Sequence, residues 1–196
     1  MFARYNKSFS AKLSFYVISF ITVLSVILFG IFYHYSTKTL SKEAEDKIET
    51  MAEIANLKVS ALLSKVEKIP DNLGWMIMAY VENPDSLFSI TRRIVKENEE
   101  IFGCAIAFEP YYFPSKGHYF APYSFMSGDT VKTMQVGSED YNYFEKGWYK
   151  GARETRYWSK PYRDAGDPDV ITTSYAVPIH GKDGELIAVL SVDLTN

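Results

Sequence analysis

The chain has 196 residues, a formal net charge of -3 and an aromatic content of 16%. This length suits one ordinary domain with an additional element, and the scattered Lys and Arg residues exclude the basic stripe of a nucleic-acid-binding protein. The single cysteine, Cys104, excludes an internal disulfide and a cysteine-based metal site. Its neighbours in IFGCAIAF predict a small buried side chain.

An uncharged apolar stretch, LSFYVISFITVLSVILFGIFY, follows a short polar N-terminus. It is long enough for a helix to cross about 30 Å of hydrocarbon, so the sequence predicts a transmembrane helix over 13–35. The stretch ends in bulky aromatic residues rather than in the small residues of a signal-peptide cleavage site. We therefore expect the helix to remain attached to the protein.

Basic residues on the N-terminal side set the predicted orientation. Arg4, Lys7 and Lys12 precede the apolar stretch. The positive-inside rule then places 1–12 in the cytoplasm and the rest of the chain outside it. We expect a protein of the inner (cytoplasmic) membrane, with one span and a periplasmic domain.

A long amphipathic helix is predicted over 36–80, because apolar residues recur there in steps of three and four. Two interpretations remain open for this narrow stripe: the seam of a parallel homodimer, or a stalk without a role in dimerisation. The stripe consists of Leu40, Ala44, Ile48, Met51, Ala55, Val59, Leu62, Val66 and Ile69.

A second helix is predicted in NPDSLFSITRRIVKENEEIFG, with Asn83 or Asp85 as its N-terminal cap and Gly103 at its end. Its apolar face consists of Leu87, Ile90, Ile94 and Val95.

From residue 101 onward the pattern changes to short β-branched and aromatic runs. The predicted strands lie in IFGCAIAFEP, HYFAPY, VKTMQV, VITTSYAVPI and ELIAVLSVDL. The last two are joined by a hairpin whose turn contains Asp183 and Gly184. Helices followed by antiparallel strands predict an α+β domain over 81–196.

The segment GWYKGARETRYWSKPYRDAG, over 147–166, is rich in aromatic and charged residues. We predict a long connection that runs over one face of the sheet, and such connections are often functional. Two interpretations stay open: an aromatic pocket for a small molecule, or aromatic residues packed into the core.

Together, the apolar span, the long helix, the strand AIAFEP and the segments YNYFEKGWY, WSKPYRDAG, ITTSYAVPI and GELIAVLSVDL resemble the Cache sensor domains of bacterial transmembrane receptors. The resemblance is to the membrane-distal module of the double-Cache type and is most specific over 101–194. It implies a PAS-like antiparallel sheet in the periplasm. The segments LSKVEKIP and IAFEPYYFP are most similar to sensors fused to stress- and sporulation-type serine phosphatases, although histidine kinases and chemoreceptors use similar sensors.

Some Cache domains bind amino acids through a pattern of Tyr, Arg, Trp, a further aromatic residue, Tyr-x-Asp and a distant Asp. The resemblance implies that the acidic residues hold a ligand ammonium and that the Arg holds its carboxylate. Lys146 stands at the Arg position, and Lys is a point charge rather than a planar fork, so a ligand carboxylate would be held less directly than in the family. We expect a small ligand that is an amine, an amino-acid-like molecule or a carboxylate. The corresponding residues are Tyr141, Lys146, Trp148, Tyr149, Tyr162, Asp164 and Asp193.

The chemistry of these residues supports such a site independently of the resemblance to Cache domains. A small amine or zwitterion needs carboxylates at one end, a cation at the other and apolar walls between them. Asp164 and Asp193 can supply the carboxylates, Lys146 the cation, and the rings the walls with cation–π attraction. In the other interpretation, the rings are core and the acidic residues are solvated turn or strand-end groups.

Two other functions stay open: a membrane-anchored periplasmic hydrolase with Asp164 and Asp193 as an acid–base pair on a glycan-like substrate, and a structural subunit with a filled core. The sequence has no hydrolase, nucleotide-binding or dinucleotide motif, its histidines lack metal spacing, and DAGDPD lacks the EF-hand pattern. We therefore predict no enzymatic activity, metal or cofactor in this chain. It ends just after a strand, and we expect an effector elsewhere in a longer receptor.

Overall fold

The computed structural model describes residues 9–195, and the predictions for Arg4 and Lys7 lie outside the described residues. It divides the chain into two compact units, the first ending at Val59 and the second starting at Ser60. Helix α1, Phe9–Tyr80, contributes to both. Among the described residues, one helix is long and apolar enough to cross a membrane, with a mean hydropathy of 2.5 in its most apolar stretch.

In the first unit the stripe predicted on the long helix is exposed. Leu40, Ile48, Met51 and Val59 each leave more than half of their surface open to solvent in the single chain. Exposed apolar side chains in a regular row are a feature of helices that bind a partner.

The second unit starts within the segment that the sequence assigns to the stalk, so the α+β domain includes the last turns of α1. Val66 and Ile77 of α1 are fully buried, and the helix continues through Pro70. The remaining helices are α2, Ser86–Glu97, and α3, Gly147–Ala152, with short 3-10 turns at Pro114–Lys116 and Tyr143–Glu145. The strands are β1 (Gly103–Phe108), β2 (Ala121–Ser127), β3 (Thr130–Val136), β4 (Tyr157–Trp158), β5 (Tyr162–Arg163), β6 (Ile171–His180) and β7 (Leu186–Thr195).

The strands form one antiparallel sheet in the order β3-β2-β1-β7-β6-β4, and β5 also pairs with β6. This confirms the predicted α+β fold with a PAS-like antiparallel sheet. The predicted hairpin between β6 and β7 is also confirmed, and Gly184 has the positive φ of 83° that its turn needs.

Both faces of the sheet are covered, which is why its central strands are buried on both sides. One face packs against α1 and α2, with Ile106 of β1 and Leu190 of β7 fully buried there. Cys104 points into the same core as a free, fully buried thiol, as the sequence predicts. Burial raises its pKa well above the ordinary value. The opposite face packs against α3 and the aromatic residues around it.

Helix α2 has the predicted N-cap residue, Asp85, but the hydrogen bonding at its start and the position of its end differ from the prediction. Asp85 makes no capping hydrogen bond, and its carboxylate instead pairs with Lys116 at 2.6 Å. The helix ends before Asn98, whose side-chain amide donates to the carbonyl of Ile94 at 2.7 Å. Gly103 does not end the helix but begins β1, where its lack of a side chain serves the site described below.

The aromatic segment over 147–166 also differs from the predicted irregular connection. Its first part forms α3, and its later part forms the short edge strands β4 and β5. Two-residue strands carry too little periodicity to be recognised from sequence, and their pairing with β6 defines them.

Candidate functional site

The site begins with small side chains on the central strands. The sheet register places Ser174, Asp193 and Gly103 directly opposite one another across β6, β7 and β1. The next row on the same face contains Ala176, Ser191, Ala105 and Tyr123. Because alternate residues of a strand share a face, the small Gly, Ala and Ser residues of these two rows leave a hollow above the middle of the sheet.

The inner cavity above these rows is small, with a volume of about 20 Å³, room for about one water molecule. It brings together five of the seven predicted site residues: Tyr141, Trp148, Tyr162, Asp164 and Asp193. The others that line it are Ala105, Ala121, Tyr123, Val136, Ala165 and Ser191.

Asp164 is buried, with 5% of its surface exposed, although it lies in a loop. The hydroxyl of Tyr123 donates to its Oδ2 at 2.5 Å. The backbone N–H groups of Gly166 and Asp167 donate to Oδ1 at 2.7 Å and 3.0 Å. The loop thus wraps around the carboxylate and fixes it toward the cavity, instead of forming a solvated turn.

Asp193 is 2% exposed at the end of β7. The Ser174 hydroxyl donates to its Oδ1 at 2.5 Å and lies 2.6 Å from the Tyr162 hydroxyl. Burial and, to a lesser extent, the nearby charge of Asp164 raise the pKa of Asp193 to about 7, against the hydrogen bond from Ser174. The cavity therefore holds two carboxylates, and the groups that hydrogen-bond to them are neutral.

The aromatic residues separate this inner cavity from a larger outer groove of about 390 Å³. Tyr141, Trp148 and Tyr162 line both spaces. Trp148 is 4% exposed, and burial raises the pKa of Tyr141 to about 12. The three rings form a partition with the acidic residues on its inner side.

Lys146 lies on the outer side of the partition. It lines the outer groove, and its Nζ is 4.4 Å from the centre of the Tyr141 ring, a cation–π distance. Lys160 and Arg163 line the same groove. The sequence predicted that Lys146 and the two acidic residues face a single pocket. The structure instead places them in two adjoining spaces, the acidic residues in the inner cavity and Lys146 in the outer groove.

Tyr149 differs from its predicted place in the pocket wall. It is fully buried, and its hydroxyl donates to Glu109 Oε1 at 2.7 Å. It lines neither of the two spaces. Trp158 points to the opposite face of the sheet, where its indole N–H donates to Glu67 of α1 at 2.8 Å. One of the two aromatic side chains thus anchors α3 and the other anchors the sheet to α1.

Three residues of the site were missed from sequence: Gly103, Tyr123 and Ser174. A Cβ on Gly103 would lie 2.5 Å from the Tyr123 hydroxyl and 2.7 Å from Asp193 Oδ2, so any added side chain would force these two groups to move. The available signal was a glycine inside a strand, which often marks a close approach of other groups. Tyr123 and Ser174 stand at ordinary strand positions, and the sheet register alone brings them to the acidic residues.

The described residues contain no group of three or more His, Cys, Asp or Glu side chains arranged to hold a metal ion. The polar side chains that line the inner cavity are instead two carboxylates, Asp164 and Asp193, and four hydroxyls, those of Tyr123, Tyr141, Tyr162 and Ser191. Such a set can accept hydrogen bonds from a ligand cation.

A family model described as methyl-accepting chemotaxis protein-like, first PDC sensor domain, matches residues 87–196, more than half of the chain. The chain belongs to this family. No curated protein sequence matches it significantly.

Solved structures agree with this assignment. The extracellular domain of the histidine kinase soHK1S-Z6 is 30% identical, with a TM-score of 0.62, over 70% of this chain and 54% of that one. A structure described as methyl-accepting chemotaxis protein X is 18% identical, with a TM-score of 0.66, over 76% of this chain and 61% of that one. The chain therefore spans little more than half of the sensor domains that it matches.

A third structure shows the same fold at lower similarity. It is the ligand-binding domain of the Pseudomonas aeruginosa PAO1 amino acid chemoreceptor PctC in complex with GABA. It is 16% identical, with a TM-score of 0.50, over 76% of this chain and 64% of that one. The chain is thus a PDC sensor domain, and its fold matches that of sensor domains from chemoreceptors and a histidine kinase.

Proposed function

We propose that this PDC domain senses a small molecule with a cationic amine, and that the ammonium binds between Asp164 and Asp193. The observation that carries the proposal is a buried pair of carboxylates whose hydrogen-bond partners are neutral hydroxyls and backbone N–H groups. Burying a carboxylate without an opposite charge is costly, and a second carboxylate nearby adds repulsion. A ligand cation removes both costs.

An ammonium also fits the remaining features of the inner cavity. It carries three N–H donors, and the two carboxylates offer acceptor positions beyond those used within the protein. Trp148, Tyr141 and Tyr162 surround the entry, and aromatic faces attract an ammonium by cation–π interaction. The small volume admits the charged end of a ligand, and the rest of the molecule lies in the outer groove.

The hydrolase alternative is not supported by the comparisons, which match sensor domains. It also conflicts with the site. A glycosidase acid–base pair must flank a sugar with room for it between the two carboxyl groups. Here the shared space is about 20 Å³, and Asp164 is held by hydrogen bonds from its own loop.

We further propose that 13–35 spans the inner membrane, that the sensor is periplasmic, and that the exposed stripe of α1 pairs two copies in parallel. Ligand binding would favour one arrangement of the sheet relative to α1. The sequence resemblance favours a serine phosphatase as the effector, whereas the matched structures come from histidine kinases and chemoreceptors. The proposal therefore extends to a membrane receptor and not to one effector class.

The test is a thermal-shift screen of the full chain in detergent against amines, amino acids and carboxylates without an amine. A ligand at 100 times its dissociation constant should add about 2.7 kcal/mol to the free energy of unfolding. We expect a shift with amine-bearing compounds, loss of that shift in Asp193→Asn, and no change in Glu139→Gln, which alters an exposed loop carboxylate. Shifts with carboxylates alone, or an undiminished shift in Asp193→Asn, would contradict the proposal.

A further inference from the structure

Charged side chains are segregated on the two sides of the aromatic partition. The acidic residues that line the inner cavity are Asp164 and Asp193, and no Lys or Arg lines it. The outer groove has the opposite composition: Lys146, Lys160 and Arg163 line it, and no Asp or Glu does. Both linings consist of described residues in the second unit of the chain.

This segregation limits where the two charges of a zwitterion can lie. In an α-amino acid the ammonium and the carboxylate are attached to the same carbon. A carboxylate so close to the ammonium would enter the acidic cavity with it, where it would face two more carboxylates and no cation. A ligand with a longer spacer avoids this repulsion, because its anionic group stays among the cations of the outer groove.

We propose that the preferred ligands are zwitterions whose ammonium and anionic group are separated by a chain of several atoms. This inference rests on the proposed amine-sensing function and specifies the class of ligand. The ammonium lies between Asp164 and Asp193, the spacer passes the three rings, and the anion binds Lys146 and Lys160 in the outer groove.

The two spaces have the sizes that this arrangement requires. The inner cavity of about 20 Å³ holds a group of the size of an ammonium, and the outer groove of about 390 Å³ is in the range of small-molecule pockets. The spacer would contact Trp148 and Tyr162, whose rings face both spaces. Apolar methylene groups suit these walls better than a second polar group.

The cations of the outer groove are available to a ligand. Lys146 contacts a ring rather than a carboxylate, since its Nζ lies over Tyr141. Lys160 is exposed and follows the buried Ser159. Arg163 already donates from Nη1 to the carbonyl of Pro168 at 2.8 Å, so it contributes to the positive potential while it holds the loop beside Asp164.

The experiment compares three amines with the same number of carbons by isothermal titration calorimetry on the full chain in detergent. They are 5-aminopentanoate, with separated charges; norvaline, with both charges on one carbon; and pentylamine, without an anion. We expect 5-aminopentanoate to bind at least about tenfold more tightly than either of the others, because one charge-assisted hydrogen bond contributes about that factor.

A variant tests the placement of the anion. The double variant Lys146→Gln with Lys160→Gln should lower the affinity for 5-aminopentanoate by about tenfold or more and leave the affinity for pentylamine unchanged. Lys150→Gln is the matched control, because Lys150 is also exposed but pairs with Glu145 outside the groove. Weaker binding of pentylamine in the double variant as well would overturn the inference, since the two lysines would then not act on the anion.

Other outcomes separate this inference from the proposed function. Tighter binding of norvaline than of 5-aminopentanoate, or equal binding of 5-aminopentanoate and pentylamine, would overturn the inference and leave an amine sensor in place. If none of the three amines binds and simple carboxylates do, both proposals fail.

Discussion

Tyr123 of β2 donates its hydroxyl hydrogen to Asp164 at 2.5 Å, although the two residues lie 41 positions apart in the chain. The bond connects a central strand to the loop that follows β5. Burial, together with the charges of Asp193 and Asp164, raises the pKa of Tyr123 well above its ordinary value, so the phenol stays a donor. One hydroxyl therefore holds a carboxylate of the inner cavity in place.

Tyr123→Phe should destabilise the domain by about 1.5–3 kcal/mol, the range for a hydrogen bond to a charged group. The remaining bonds from Gly166 and Asp167 keep Asp164 in the loop but leave Oδ2 without this donor. Chemical denaturation measures the change. Tyr111→Phe, at an exposed tyrosine, is the control and should differ from the wild type by less than about 0.5 kcal/mol.

Gly103→Ala should cost about 1–3 kcal/mol, as for other overpacked sites, because the added methyl would press on both Tyr123 and Asp193. It should also weaken amine binding, since both groups must move. Gly147→Ala is the control, because no atom lies within 4 Å of its added Cβ. Thermal unfolding of the two variants checks the stability; equal effects would show that the site tolerates the methyl group.

The stability of the ligand-free protein should fall as the pH rises from about 4 to about 7. In this window Asp193, with its pKa raised from 3.8 to about 7, is protonated in the folded state and ionised in the unfolded state. The folded state thus binds the extra proton, and each pH unit costs up to about 1.4 kcal/mol from this residue.

Asp193→Asn removes this titration. Its free energy of unfolding relative to the wild type should increase across the same pH window and change little below pH 4. Glu139→Gln is the matched control at an exposed carboxylate. Parallel pH profiles of wild type and Asp193→Asn, from denaturation at several pH values, would refute the raised pKa.

Substitutions of Trp148 and Trp158, the two tryptophans of the aromatic segment, should have different effects, one on ligand binding and the other on stability. Trp158→Phe loses the hydrogen bond to Glu67 and should cost about 1.5–3 kcal/mol without a change in amine affinity. Trp148→Phe reduces a wall of both spaces and should weaken amine binding. Denaturation and calorimetry on both variants test this, and a loss of affinity in Trp158→Phe would contradict it.

Ile48→Cys should form an intermolecular disulfide in membranes if the stripe of α1 is the seam of a parallel dimer. Thr50→Cys is the control, because two residues further along a helix place the side chain about 200° away. The native Cys104 is fully buried and should give little background. Non-reducing electrophoresis after mild oxidation is the readout, and equal crosslinking at both positions would argue against a defined seam.

Local sequence patterns were sufficient to predict the elements that have strong periodicity or characteristic turn residues. The apolar stripe predicted the helix that contains Ile48, the Asp183-Gly184 pair predicted the β6–β7 hairpin, and IFGCAIAF predicted a strand with a buried Cys104. Each depends on neighbours within a few residues. The N-cap position of α2 was predicted, but its capping hydrogen bond is absent because Asp85 pairs with Lys116, a residue distant in sequence. The C-terminal end was missed, since the helix ends before Asn98 and not at Gly103.

The sequence by itself determined the apolar span, the amphipathic helices over 36–80 and in α2, the main strands and the residue types of the site. These follow from composition and spacing. Only the tertiary structure decided which of those side chains meet. The register that places Ser174, Asp193 and Gly103 in one row, and the crossing of Tyr123 to Asp164, arise from strand pairing over long separations. The same packing buries Tyr149 in the core. It also places Lys146 in the outer groove, on the opposite side of the three rings from Asp164 and Asp193.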